Sequence, residues 1–172
     1  MKIYSIEENI KYLKELTFKT DKKIFSSIIK SANAQIQNII ELLNSIQKNL
    51  SMRFVKESLT YDRFDGTIAR ILEPVIFNYD YLNKIIDNFN DDEFKKLQSH
   101  KFNTNSIVKY RKLEIFEKSI SNAEKVLEEN ELIAIELNKI IFEIEKQYDN
   151  PEKLDKTREQ IEQLLSELKY YK

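Results

Sequence analysis

LEIFEKSISNAEKVLEENELIAIELNKIIFEIEKQY, residues 113–148, decides the fold. Within it Leu113, Phe116, Ile120, Ala123, Leu127, Asn130, Ala134, Leu137, Ile141, Ile144 and Tyr148 recur at alternating spacings of three and four. That alternation keeps one stripe on one side of an α-helix, a heptad seam. No Gly or Pro interrupts it, and a helix covering it would be about 55 Å long. Such a helix is unstable alone with its seam in water, so it must lie along others.

The rest of the chain supplies them. Ser5 with Glu8 is a capping-box pattern, and Ile6, Ile10, Leu13 and Leu16 give a helix over about 6–18. Thr20 or Asp21 is placed to cap a second helix, about 21–59, with a seam through Phe25, Ile29, Ala32, Ile36, Ile39, Leu43, Ile46 and Leu50. The segment Thr60–Gly66 holds the only Gly and reads as the sharpest turn, with Asp65 or Thr67 capping a helix over about 67–89. Pro74 inside that helix predicts a kink, or a break with the helix restarting at Pro74.

Asn90 with Glu93 starts a short helix, about 92–100, and the long helix follows over about 106–148. Asn150 and Pro151 then open a last amphipathic helix, about 151–171. The expectation is a single all-α domain spanning residues 1–172: an elongated antiparallel bundle of about six coiled-coil-like helices. The run from Leu132 to Ile144 is apolar on nearly all sides, which predicts burial among several helices. Asn130, alone in the seam, is expected to fix register or oligomeric state. Glu117, Glu124, Glu128, Glu131 and Glu145 read as a solvated face.

Composition removes whole classes of function. In 172 residues there are no Cys, one His, one Gly and two Pro. Thiolate metal sites, disulfides and cysteine nucleophiles are excluded, and so is a di-iron bundle with paired Glu-x-x-His motifs. One Gly cannot make a phosphate-cradling loop. No cofactor, metal site or catalytic constellation is therefore expected. The amino terminus lacks the apolar core of a signal peptide and no window reads as a membrane span, so a cytoplasmic protein is expected.

Charge is balanced overall at −1 but unevenly spread: residues 1–64 carry 11 basic and 7 acidic side chains, and residues 113–172 carry 9 and 15. Two small basic clusters with aromatics, Lys19, Lys22 and Lys23 with Phe18, and Lys109, Arg111 and Lys112 with Tyr110, offer a weak footing for nucleic acid, which is not expected as a partner.

The candidate site lies between Arg53 and Tyr81. Arg53, Arg63 and Arg70, three of the five Arg, fall here with Tyr61, Phe64 and Tyr81. Arg and Tyr anchor protein interfaces, because they bring large contact area and directional bonds at modest entropic cost. Phe77 and Tyr79, in the same stretch, can equally be core. The leading expectation is a non-enzymatic protein–protein interaction module such as an adaptor, chaperone, inhibitor or small subunit, with homodimerisation open. One catalytic alternative rests on Lys95 and His100, whose spacing resembles the Arg, four to six residues, His pattern of small helical HEPN-type ribonucleases. Lys stands where that family has Arg, and Lys cannot hold a phosphate in a bidentate way. The resemblance implies a metal-free ribonuclease using His100.

Overall fold

The computed structural model describes residues 5–56, 58–99, 106–146 and Glu159. Among them are five α-helices and no strand: α1 (Ile6–Glu15), α2 (Ser26–Arg53), α3 (Leu59–Asn88), α4 (Asp91–Ser99) and α5 (Ile107–Lys146). A 3₁₀ turn, Lys23–Phe25, leads into α2. The last expected helix, 151–171, and the end of the seam at Tyr148 lie outside the described residues. No helix among those described is long and apolar enough to cross a membrane.

α2 and α3 form an antiparallel hairpin, in which Phe25 meets Phe89, Gln35 meets Tyr79 and Phe54 meets Phe64. α5 lies against both. It runs antiparallel to α3, since Asn78 bonds Asn130 and Tyr81 meets Asn122. It runs parallel to α2, since Gln35 reaches Leu127 and Glu131 while Asn49 reaches Glu145. The expectation of antiparallel neighbours therefore holds for two of these three pairs. The third follows from connectivity: in an up-down-up trio the first and last helices must point the same way.

The seam of α5 is the wall of the core. Leu113, Ala123, Asn130, Ala134, Leu137, Ile141 and Ile144 are buried, and Phe116, Ile120 and Leu127 pack against them half-buried. Val126, Ile133 and Ile140 widen the stripe. Where α2 and α3 run out, the amino-terminal half of α5 is covered by α4 and by a cluster of rings. Phe89 meets Phe25, Phe94 and Phe116 edge-on, with centroids 4.9–5.3 Å apart. Such contacts add about 0.5–1.5 kcal/mol each beyond the area they bury.

The sharp turn is not at Thr60–Gly66. α2 stops at Arg53 rather than near Leu59, and α3 begins at Leu59 and runs through Gly66. Ser58 is the cap, its Oγ accepting from the Tyr61 N–H at 3.3 Å. A Gly in a helix interior costs about 1 kcal/mol relative to Ala, whereas burying Phe64 or Ile68 stabilises by about 1.5–3 kcal/mol each. Burial wins, and the glycine is carried inside the helix. Asp65, freed from capping α3, instead accepts the Ile6 N–H at the start of α1 (3.2 Å). Thr67 Oγ1 donates to the Arg63 carbonyl. α3 also continues through Pro74 without a break.

The capping box on α1 forms as expected, with Ser5 Oγ accepting from Glu8 N and Glu8 accepting from Ser5 N. Asn90 caps α4 through the Glu93 N–H. Thr20 accepts from Lys22 N ahead of the 3₁₀ turn, and α2 itself has no side-chain cap. The loop from α1 is pinned by Asn33, which exchanges two hydrogen bonds with the backbone of Phe18, each 3.1 Å.

Leu132, Ile135 and Phe142 correct a further expectation. They are exposed, because α2 and α3 cover only the sector of α5 that holds the seam and leave these positions on the outer side. Asn130, by contrast, is fully buried as expected, and it sits in a polar layer across the middle of the bundle. Its Oδ1 accepts from Asn78 Nδ2 at 2.9 Å. Gln35 Nε2 donates to the Leu127 carbonyl (3.0 Å) and to Glu131 (2.9 Å), while the Tyr79 hydroxyl donates to Gln35 Oε1 (3.1 Å). Burial holds the Tyr79 hydroxyl far above its ordinary ionisation range; the nearby Asn130 amide pulls the other way. That amide does not reach hydrogen-bond geometry, so Asn130 Nδ2 is buried with no partner among the described residues.

Two expected outcomes test this arrangement. Gly66→Ala, with nothing within 4 Å of the added Cβ, raises stability by about 0.5–1 kcal/mol in thermal unfolding, where a turn glycine would lower it. Asn130→Leu costs about 1–3 kcal/mol in urea unfolding by leaving Asn78 Nδ2 with only its 3.3 Å bond to Glu129, and adding Asn78→Leu recovers most of that loss.

Candidate interaction surface

α3 presents one helical face to solvent. Positions 63, 70, 77 and 81 follow at seven, seven and four, which returns each to nearly the same side of a 3.6-residue helix. Arg63, Arg70, Phe77 and Tyr81 are all exposed, Phe77 by 61 %. From Arg63 to Tyr81 the stripe runs about 27 Å. Arg70 is steadied by donating to Thr67 Oγ1 at 3.3 Å, and the Tyr81 hydroxyl accepts from Asn122 of α5 at 3.4 Å. Neither Arg63 nor Arg70 is ion-paired among the described residues.

The six residues singled out from the sequence thus separate. Arg63, Arg70 and Tyr81 share this face. Tyr61 and Phe64 do not: they point into the core, 5 % and 2 % exposed, and Phe64 stacks on Phe54 at 5.7 Å to close the α2–α3 turn. Arg53 is half-buried at the carboxyl end of α2, where a cation suits the helix dipole. Phe77 was open to either reading and joins the surface, whereas Tyr79 is wholly buried. Only the placement of α1, α2 and α5 around α3 separates these neighbours.

The two basic clusters also change meaning. Phe18 is buried against Tyr79, and Lys22 Nζ donates to the carbonyls of Ile86 and Asp87, closing the carboxyl end of α3 in place of the basic residue its last turn lacks. Lys109, Tyr110 and Arg111 are exposed on the first turn of α5, with Lys112 paired to Glu93 of α4. Lys95 is taken up by Asp91, which raises the ammonium above its ordinary value. His100 lies outside the described residues. No group of three or more His, Cys, Asp or Glu among those described is placed to hold a metal ion.

Beside the stripe, where α1 crosses α3, the Tyr12 hydroxyl donates to Asp80 at 2.9 Å. Burial, then the bond to Asp80 and its charge, push the tyrosine up to about 12. The seam between α1 and α3 is acidic along its length. Burial raises the Asp65 carboxyl, the Ile6 N–H opposes this, and the charges of Asp62, Glu7 and Glu8 raise it further.

A folded-state value above the ordinary one means that the neutral tyrosine is favoured in the fold, so its contribution is present below pH 10 and is lost as pH rises through about 12. In an absorbance titration, the tyrosine that Tyr12→Phe removes ionises near 12. Asp80→Asn brings it down without restoring 10, because burial remains. Comparison with protein-family models, with curated proteins and with solved structures returns no match.

Proposed function

We propose that this chain is a non-enzymatic protein-binding module and that its contact face is the outer side of α3. The observation that carries the reading is Phe77, a large apolar ring held 61 % in solvent between Arg70 and Tyr81. An isolated exposed ring needs no explanation, but an aromatic pair preceded on the same face by two Arg without ion-pair partners among the described residues has the composition of an interface centre. The face is rigid, since it belongs to a 30-residue helix packed on three others. A partner would meet a preformed surface and lose little conformational entropy in ordering it.

The test is affinity capture from the native host followed by a direct binding measurement with whatever protein is retained. Arg63→Ala with Phe77→Ala weakens binding roughly tenfold or more, the effect of losing an interface anchor. Helicity and Tm stay within the error of the parent. Lys139→Ala, on the outer side of α5, leaves binding unchanged. Undiminished binding by the double variant would refute the assignment.

A further inference from the structure

α3 and α5 carry rows of the same pitch on their outer sides. On α3, Arg63, Arg70, Phe77 and Lys84 are each seven residues apart, and on α5 so are Lys118, Lys125 and Leu132. All of them are exposed, Leu132 by 58 %. The Asn78–Asn130 bond sets the relative height of the two helices. Because they run antiparallel, one residue back from Asn78 and two on from Asn130 bring Phe77 and Leu132 within about 1.5 Å of level, and one heptad further does the same for Lys84 and Lys125. The α5 row adjoins α3, since Glu129, which accepts from Asn78 at 3.3 Å, lies within about 60° of both Lys125 and Leu132 around the helix axis. α2 meets α5 on another side, at Leu127 and Glu131.

The charges on this surface are one-sided. Arg63, Arg70, Lys84, Lys118 and Lys125 form no ion pair with any described residue. Between the rows the acids are Glu129 and Glu136, and both are engaged, Glu129 by Asn78 and Glu136 by Lys139 at 2.6 Å. The middle is apolar, with Phe77, Tyr81 and Leu132 exposed side by side. Positive charge around an apolar centre complements carboxylates flanking an apolar stripe. Each row repeats every two helical turns, so a partner that uses both must repeat in the same way, as an α-helix laid between them does.

On the footing of the α3 contact face above, we propose that the partner binds as an acidic amphipathic α-helix laid between α3 and α5. Its apolar stripe rests on Phe77, Tyr81 and Leu132, and its carboxylates reach Arg70 on one side of that patch and Lys84 and Lys125 on the other. Arg63 and Lys118 extend the two ends. Lys139, one heptad beyond Leu132, is held by Glu136 and contributes little. Nucleic acid fits this surface less well, because its backbone carries a phosphate at every nucleotide and the middle of the surface has no charge to meet one.

The probe is a synthetic peptide of three heptads with Leu at positions a and d, Glu at e and g, and Gln and Ala elsewhere, labelled with fluorescein and titrated with the full chain by anisotropy. Saturable binding with a dissociation constant of about 10–100 μM is expected, weakened by added salt, with a gain of peptide helicity in circular dichroism. A peptide of the same composition in an order without the heptad period does not bind, nor does one with Lys in place of Glu. Leu132→Ala and Lys125→Glu, both changes on exposed side chains, each weaken binding roughly fivefold or more with Tm unchanged. If both are silent while Phe77→Ala weakens binding, the contact is with α3 alone, so the α3 face stands and the two-helix site falls. If Phe77→Ala is silent as well, both fall. No saturation at about 1 mM peptide, or equal binding of the reordered peptide, overturns the proposal and leaves the capture test of the α3 face intact. So does tighter binding of oligothymidylate through the same residues, which assigns the surface to nucleic acid, or a dimer in light scattering that Leu132→Ala dissociates, which assigns it to a second copy of this chain.

Discussion

Everything in this molecule depends on keeping one sector of α5 dry. The helix is 40 residues long, about 60 Å, and its buried row from Leu113 to Ile144 is continuous. A helix carrying so long an apolar row is not held by propensity alone, since most helical stability in proteins comes from packing an amphipathic face. α2 and α3, at 28 and 30 residues, cannot span it. The difference is met by α4 and the rings of Phe25, Phe89, Phe94 and Phe116, which continue the dry surface past the end of the hairpin.

Apolar seams of equal pitch can slide past one another by a heptad with little change in buried area. The polar layer removes that freedom. Asn78, Asn130, Gln35 and Tyr79 are mutually satisfied in only one register, and a slip would leave several buried donors and acceptors unpaired at about 1–3 kcal/mol each. The arrangement has its own cost in the unmatched Asn130 Nδ2. Specificity of register and maximal stability are here different objectives, and a lone polar residue in a seam trades some of the second for the first.

The surface shows a similar division of labour on α3. Its outer side carries Arg63, Arg70, Phe77 and Tyr81, and the next side round carries Asp62 and Asp80 toward α1. Basic-aromatic and acidic surfaces thus adjoin along one helix, with Asp80 and Tyr81 consecutive in the chain. A helix can sort neighbours this way because successive residues differ by about 100° around its axis.

The seam from Leu113 to Ile144, the capping box at Ser5 and Glu8, the Asn90 cap and the core placement of Asn130 were all legible in the sequence, because each is a local pattern with a local physical cause. The turn was misplaced because Gly66 is a local signal overruled by burial of its neighbours Phe64 and Ile68. Tyr61 and Phe64 could not be told from Tyr81 and Phe77 by residue type, and Leu132, Ile135 and Phe142 could not be told from the seam by hydrophobicity. Periodicity by itself determined that this chain is a bundle of long helices, since a stripe of pitch 3.5 has one economical conformation. Which side of each helix meets solvent, that α5 lies parallel to α2, and that Asn9, Tyr12 and Asp80 line one cleft were decided by tertiary packing alone, because those facts depend on contacts between residues 68 to 96 positions apart that only the closed bundle brings together.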